Sequence, residues 1–221
     1  MRRTLRLAIG AFILATGVAG CTGYGPPSGI EYHRLFFGYG QSYTAEGLLS
    51  PSAIIRRWSI ISLARHGDPK AADAFMLMLN KSQEPVPLVR ATAAVGLRVL
   101  GDKRAIPALV TACGDPEPIV RADAVRTLGD LGGPAEVAGL ASLGRRDPDS
   151  NVRLEALYAI RNIGGQDTLP IFIAALSDPD ESVAFAAHSA LLSQTGQQFS
   201  PDKNQWVSWW QQRRNAPPAK P

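Results

Sequence analysis

Cysteine is scarce in this 221-residue chain: only Cys21 and Cys113 are present. A fold held by several disulfides is therefore excluded. Histidine is nearly as rare, at His33, His66 and His188, and none stands at the spacing of a helical zinc motif. There is no paired Cys-x-x-Cys, no glycine-rich phosphate loop and no Gly-x-Ser-x-Gly elbow. Carboxylates are scattered and fall mostly in turns. Catalysis needs a constellation of groups, and none is legible here, so the expectation is of a protein that is not an enzyme and needs no cofactor or metal. No basic run is long enough to track phosphates either. The net charge of +4 is mostly Arg2, Arg3 and Arg6, and residues 1–20 contain no acid. The remainder carries about one positive charge, which argues against nucleic-acid binding.

What is present begins with a short basic segment, Met1–Arg6, followed by the uncharged stretch Leu7–Gly20. Fourteen residues are too few to cross a bilayer core of about 30 Å at 1.5 Å per residue. The pattern is that of a signal peptide over residues 1–20. Its end, Val18-Ala19-Gly20-Cys21, resembles the lipobox of bacterial lipoproteins. That resemblance implies cleavage before Cys21 and lipidation of its thiol, hence a chain tethered to a membrane. Thr22 in place of aspartate resembles the outer-membrane class, facing the periplasm of a two-membrane bacterium. Residues 21–45 then read as a Gly/Pro-rich tether followed by an aromatic N-terminal cap that includes Tyr32, Leu35, Phe36, Phe37, Tyr39 and Tyr43. With Cys21 lipidated, Cys113 has no partner, and its apolar neighbours suggest a buried, inert thiol.

The rest of the chain repeats. Ile55-Arg56, Val89-Arg90, Val120-Arg121, Val152-Arg153 and Val183-Ala184 recur at intervals of 34, 31, 32 and 31 residues. Five residues before each arginine (or Ala184) stands Pro51, Pro85, Pro116, Pro148 or Pro179, preceded by Ser50, Glu84, Asp115, Asp147 or Asp178. Eleven residues after it come Gly67, Gly101, Gly132 and Gly164, with Gly196 one place late in the fifth copy. The acid-proline pair should turn the chain, and the acid should accept N–H bonds at a helix start. A helix with apolar residues on one face follows, and the glycine should end it in a left-handed conformation. Shorter apolar helices are expected at Ala71–Leu79, Ala105–Ala112, Pro134–Leu143 and Leu169–Leu176.

The pattern Asp-Pro-x-x-x-Val-Arg-x-x-Ala-x-x-x-Leu-Gly resembles HEAT repeats of the short bacterial type shared with phycobilin lyase subunits. The resemblance implies an all-α fold, an α-α superhelix of about five helical-hairpin repeats over residues 46–212. It further implies that Arg56, Arg90, Arg121 and Arg153, with Asp115, Asp147 and Asp178, join neighbouring turns and are not ligand contacts. Trp206, Trp209 and Trp210 share one helical face and should close the last repeat. Residues 213–221 read as a disordered tail. The iron-binding HEAT hydroxylases are a poor match, because no His-Glu pair is present.

A stack of this kind offers a long concave face. The variable positions of the Val-Arg helices should line it, and Trp58, Ile61, Arg65, Thr92, Arg98, Asp123, Arg126, Glu155, Tyr158 and Arg161 are the candidates. The expected function is a membrane-anchored scaffold for a protein or peptide in the cell envelope. The alternative is a lyase-like ligand binder or enzyme accessory.

Overall fold

A computed structural model describes residues 46–215. The signal segment, Cys21, the tether, its aromatic residues and the tail beyond residue 215 lie outside the described residues. Every regular element within them is helical. In chain order these are α1 (Ala53–His66), α2 (Ala71–Met78), α3 (Pro87–Leu100), α4 (Ile106–Ala112), α5 (Pro118–Leu131), α6 (Val137–Arg146), α7 (Ser150–Ile163), α8 (Leu169–Ala175), α9 (Glu181–Thr195) and α10 (Lys203–Asn215). Long and short helices alternate, as the repeat requires. Single 3₁₀ turns lead into α4, α6 and α8. The chain divides into two compact units within α5, residues 1–127 and 128–221.

In the first unit, α1 and α2 both pack on α3. Ile60, Leu63, Phe75, Met78, Val89, Ala93, Ala94 and Leu97 are buried there. Gly96 makes the fit: a Cβ would lie 2.9 Å from both the Ile60 methyl and the Phe75 ring. In the second unit α6 and α9 flank α7, and α8 packs on α9. Here Gly129 of α5 is the point of closest approach, where a Cβ would meet the Ala159 Cα of α7 at 2.6 Å. Cys113 is buried, and desolvation pushes its thiol up to about 12, so it is not ionised at neutral pH.

The turns show what the repeated acid does. Glu84, Asp115, Asp147 and Asp178 each accept the backbone N–H two residues on, at 2.9–3.0 Å. They close a side-chain turn and do not cap the helix. Capping falls two residues later, where Asp149 and Asp180 accept the N–H groups that open α7 and α9. Gly101 and Gly196 end their helices left-handed, at φ 69° and 70°. Gly132 does not: its φ is not positive, and its N–H donates to Leu128 O at 2.8 Å. It is needed because a Cβ would stand 2.6 Å from that same carbonyl.

Three of the repeated arginines, Arg56, Arg90 and Arg153, each bind two turns at once. Arg90 donates from Nη1 to Glu84 O and Pro85 O of its own turn, at 3.0 and 3.1 Å. From Nε and Nη2 it grips both oxygens of Asp115 in the next, at 2.8 and 2.9 Å. Arg56 holds Glu84 in the same way, and in the second unit Arg153 holds Asp178. This bidentate geometry is the strong form of the contact. Burial, the largest single influence, would raise the Asp178 carboxyl, but the Arg153 hydrogen bonds, the Asp180 N–H and the Arg153 charge together outweigh it and hold it below its ordinary value.

The C-terminal end carries one further turn that the sequence reading did not count. Ser200-Pro201 takes the acid-proline place, and five residues on Trp206 takes the arginine place. Trp206 Nε1 donates to Ser200 O at 2.9 Å, the same six-residue step that each arginine makes to its own turn. Trp206 is fully buried, with Phe199 and Trp209 edge-on at 5.1 and 5.8 Å. Trp209 and Trp210 are only half-buried. The helix also runs past residue 212, through Arg213 and Arg214 to Asn215. Arg213 stacks over Trp209 at 5.6 Å, which extends the helix into what reads as tail.

Candidate functional site

The candidate surface residues divide between the two units. In the first, Trp58 stands 47% exposed on α1 and Arg65 is exposed in its last turn. Ile61, Arg98 and Asp123 are half-buried. Arg126 is exposed and donates to Asp123 at 2.9 Å. Thr92 is a correction. It is 8% exposed, and its hydroxyl donates to Leu88 O while accepting from Arg57 Nε at 3.1 Å. Both hydrogen-bonding capacities are used between α1 and α3, so Thr92 fixes helix packing and presents nothing to a partner. In the second unit Glu155 is half-buried and Tyr158 is 38% exposed. The Arg161 guanidinium lies 5.2 Å from the centroid of the Tyr158 ring, a cation–π pair open to solvent.

Two surfaces escaped the sequence reading. Ile54, Leu88 and Ile119 are exposed at 67%, 41% and 46%. All three stand two residues before the repeated arginine, a column that continues as Asn151 and Ser182. A tabulation of that column would have revealed the aliphatic run. The other is a trough of 530 Å³ in the second unit, between the short helices α6 and α8. Its sides are Ala138, Ala141 and Ile171, with Arg145 and Arg146 among its lining. Small residues open this space, and small residues are easily read as packing positions.

Neither remaining histidine is poised for chemistry by its contacts. His66 Nδ1 donates to Ser62 O at 2.7 Å, and His188 Nε2 donates to Phe199 O at 2.8 Å. Among the described residues, no three His, Cys, Asp or Glu side chains gather where a metal ion could be held. No described helix is long and apolar enough to cross a membrane.

The sequence family of HEAT repeats matches residues 79–161 and 137–203, more than half of the chain. The chain is a HEAT-repeat protein. It is 31% identical to a deoxyhypusine hydroxylase of Eremothecium gossypii over 115 residues, which are 52% of this chain and 35% of that enzyme. This HEAT-repeat chain thus spans about a third of the length of that curated relative. Among solved structures, it is similar to the complex of CpcE and CpcF of phycocyanin lyase from Nostoc sp. PCC7120. The TM-score is 0.58 at 22% identity, over 80% of this chain and 71% of that one. The second likeness shows the fold. The first overturns the expectation that the protein is not an enzyme, because its sequence relative is one. It also corrects the view that HEAT hydroxylases are a poor match.

Proposed function

We propose that this HEAT-repeat protein is an accessory, partner-binding component of an enzyme, tethered through lipidated Cys21 to the membrane, on the periplasmic face of the outer membrane where the cell has two. The observation that carries the reading is the exposure of large interface-type side chains on the long helices. Trp58 in one unit and the Tyr158–Arg161 pair in the other are held on rigid helices yet left in solvent. Trp, Tyr and Arg are the residue types that dominate binding energy in protein interfaces. The relationship to a hydroxylase and the fold shared with a two-protein lyase favour an enzyme as the setting. The basic, apolar and lipobox segments before Cys21 support the tether.

The test is purification of the full chain from detergent-solubilised membranes after crosslinking. The expected result is co-recovery of an enzyme subunit, lost in a Trp58→Ala, Arg126→Ala, Tyr158→Ala variant that melts like wild type. Recovery of the chain without any enzyme would refute the reading. In parallel, radiolabelled palmitate should enter the wild type and not Cys21→Ala. Equal labelling of both would remove the tether.

A further inference from the structure

The short helices are not alike at their ends. α2, α4 and α8 carry no basic residue in the last turn, whereas α6 ends on Arg145 and Arg146. α6 is also the longest of the four, at 10 residues against 7 or 8. Its extra turn brings the two arginines to the lip of the trough shared with α8. The repeated arginines Arg56, Arg90 and Arg153 are each consumed by a carboxylate. Arg145 and Arg146 are exposed, and neither guanidinium has an ion-pair or hydrogen-bond partner among the described residues. Asp178, which also lines the trough, does not neutralise them, because Arg153 grips both of its oxygens.

Position at a helix C-terminus accounts for a general preference for cations there. It does not account for the floor beside them. Ala138 and Ala141 of α6, Ala174 and Ile171 of α8, and the buried Leu157 beneath give an apolar surface with little side-chain relief. A wall of alanines lets another backbone come close. α6 is about 15 Å long at 1.5 Å per residue, the length of a three-turn helix laid beside it. Mainly apolar, with Ser142 and Ser177 interspersed, and basic at one end, the trough is complementary to a helix with an aliphatic face and an acidic end, the helix-in-groove mode of recognition.

We propose that the trough between α6 and α8 is a docking site for an amphipathic helix of a protein partner, with its acidic end seated on Arg145 and Arg146. This rests on the reading that the chain binds a protein partner, and it assigns that partner a second contact away from Trp58 and Tyr158.

The probe is a fluorescein-labelled peptide of about twelve residues, long enough to match α6, with Leu and Ala along one helical face and Glu grouped at one end. Its counterpart carries Lys for each Glu. Fluorescence anisotropy is measured with the full chain in detergent. The Glu peptide should bind and the Lys peptide should not. Arg145→Glu with Arg146→Glu should weaken binding at least about tenfold and reduce its salt dependence. Ala141→Trp, which fills the trough, should weaken it similarly without moving the melting temperature. Equal binding of the two peptides, or unchanged binding by well-folded variants, overturns the proposal. Crosslinked capture is followed in the charge-reversed variant as well. Full recovery of the enzyme subunit alongside a failed peptide experiment would overturn the trough while leaving the accessory reading intact. Loss of both peptide and subunit is the result expected.

Discussion

Glycine to alanine usually favours a helix, by about 1 kcal/mol, because alanine loses less backbone freedom on folding. At Gly129 the opposite is expected. An added Cβ would stand 2.6 Å from the Ala159 Cα and 2.7 Å from its Cβ. Ordinary carbon contacts lie near 3.5–4.0 Å, so α5 and α7 would have to separate by roughly 1 Å. The atom in the way belongs to a backbone and cannot rotate aside. Overpacking of this kind costs typically 1–3 kcal/mol. Set against the propensity gain of about 1 kcal/mol, the net is a loss of up to about 2 kcal/mol, which for a chain of this size lowers Tm by up to roughly 8 °C. Gly139 on α6 is the control, since nothing lies within 4 Å of its added Cβ and its φ is not positive. There alanine should raise Tm by about 2–4 °C. The assay is a thermal melt of wild type, Gly129→Ala and Gly139→Ala followed by circular dichroism. A rise in Tm for Gly129→Ala matching that of Gly139→Ala would refute the packing argument.

Further expectations follow from the same contacts. Arg90→Ala leaves the buried Asp115 carboxylate unpaired and should cost about 3–5 kcal/mol in urea unfolding. Arg104→Ala, which breaks pairs open to solvent with Asp73 and Asp102, should barely move the midpoint, and comparable losses in the two would contradict this. Trp206→Ala should cost about 3–5 kcal/mol because its ring is fully buried, with Trp209→Ala costing less; the reverse order in melting temperature would show that the closing turn is misassigned. The Asp178 carboxyl titrates below its ordinary value in the folded chain, so the unfolded chain binds the extra proton in acid. Its contribution is whole above about pH 4 and is lost as pH falls through the native value. Asp178→Asn should therefore be less stable at neutral pH and show a shallower acid fall than wild type, and parallel stability–pH curves would count against it.

Local chemistry written in recurring columns was legible from the sequence alone. The acid-proline turns, the arginine five residues on and the apolar spacing between them required helical hairpins, and those are the helices observed. The same columns identified which arginines are structural, because a residue type that recurs at every turn serves what every turn shares. What failed to show in the sequence depends on distance between elements. Thr92 sits in a column that varies and looked available, but α1 closes on α3 and its hydroxyl is used by Arg57 and Leu88. Gly129 is an unremarkable helix residue until α7 arrives within contact of its Cα. The exposed column Ile54, Leu88, Ile119 has the composition of a core column, and only the direction it faces after packing leaves it in solvent. The trough is the clearest case. Alanine signals close packing where a helix lies opposite and an opening where none does, and the sequence of α6 is silent on which applies. Periodicity fixes what each turn of helix must be, while tertiary packing decides which faces meet, since that depends on the separation of helices that are distant along the chain.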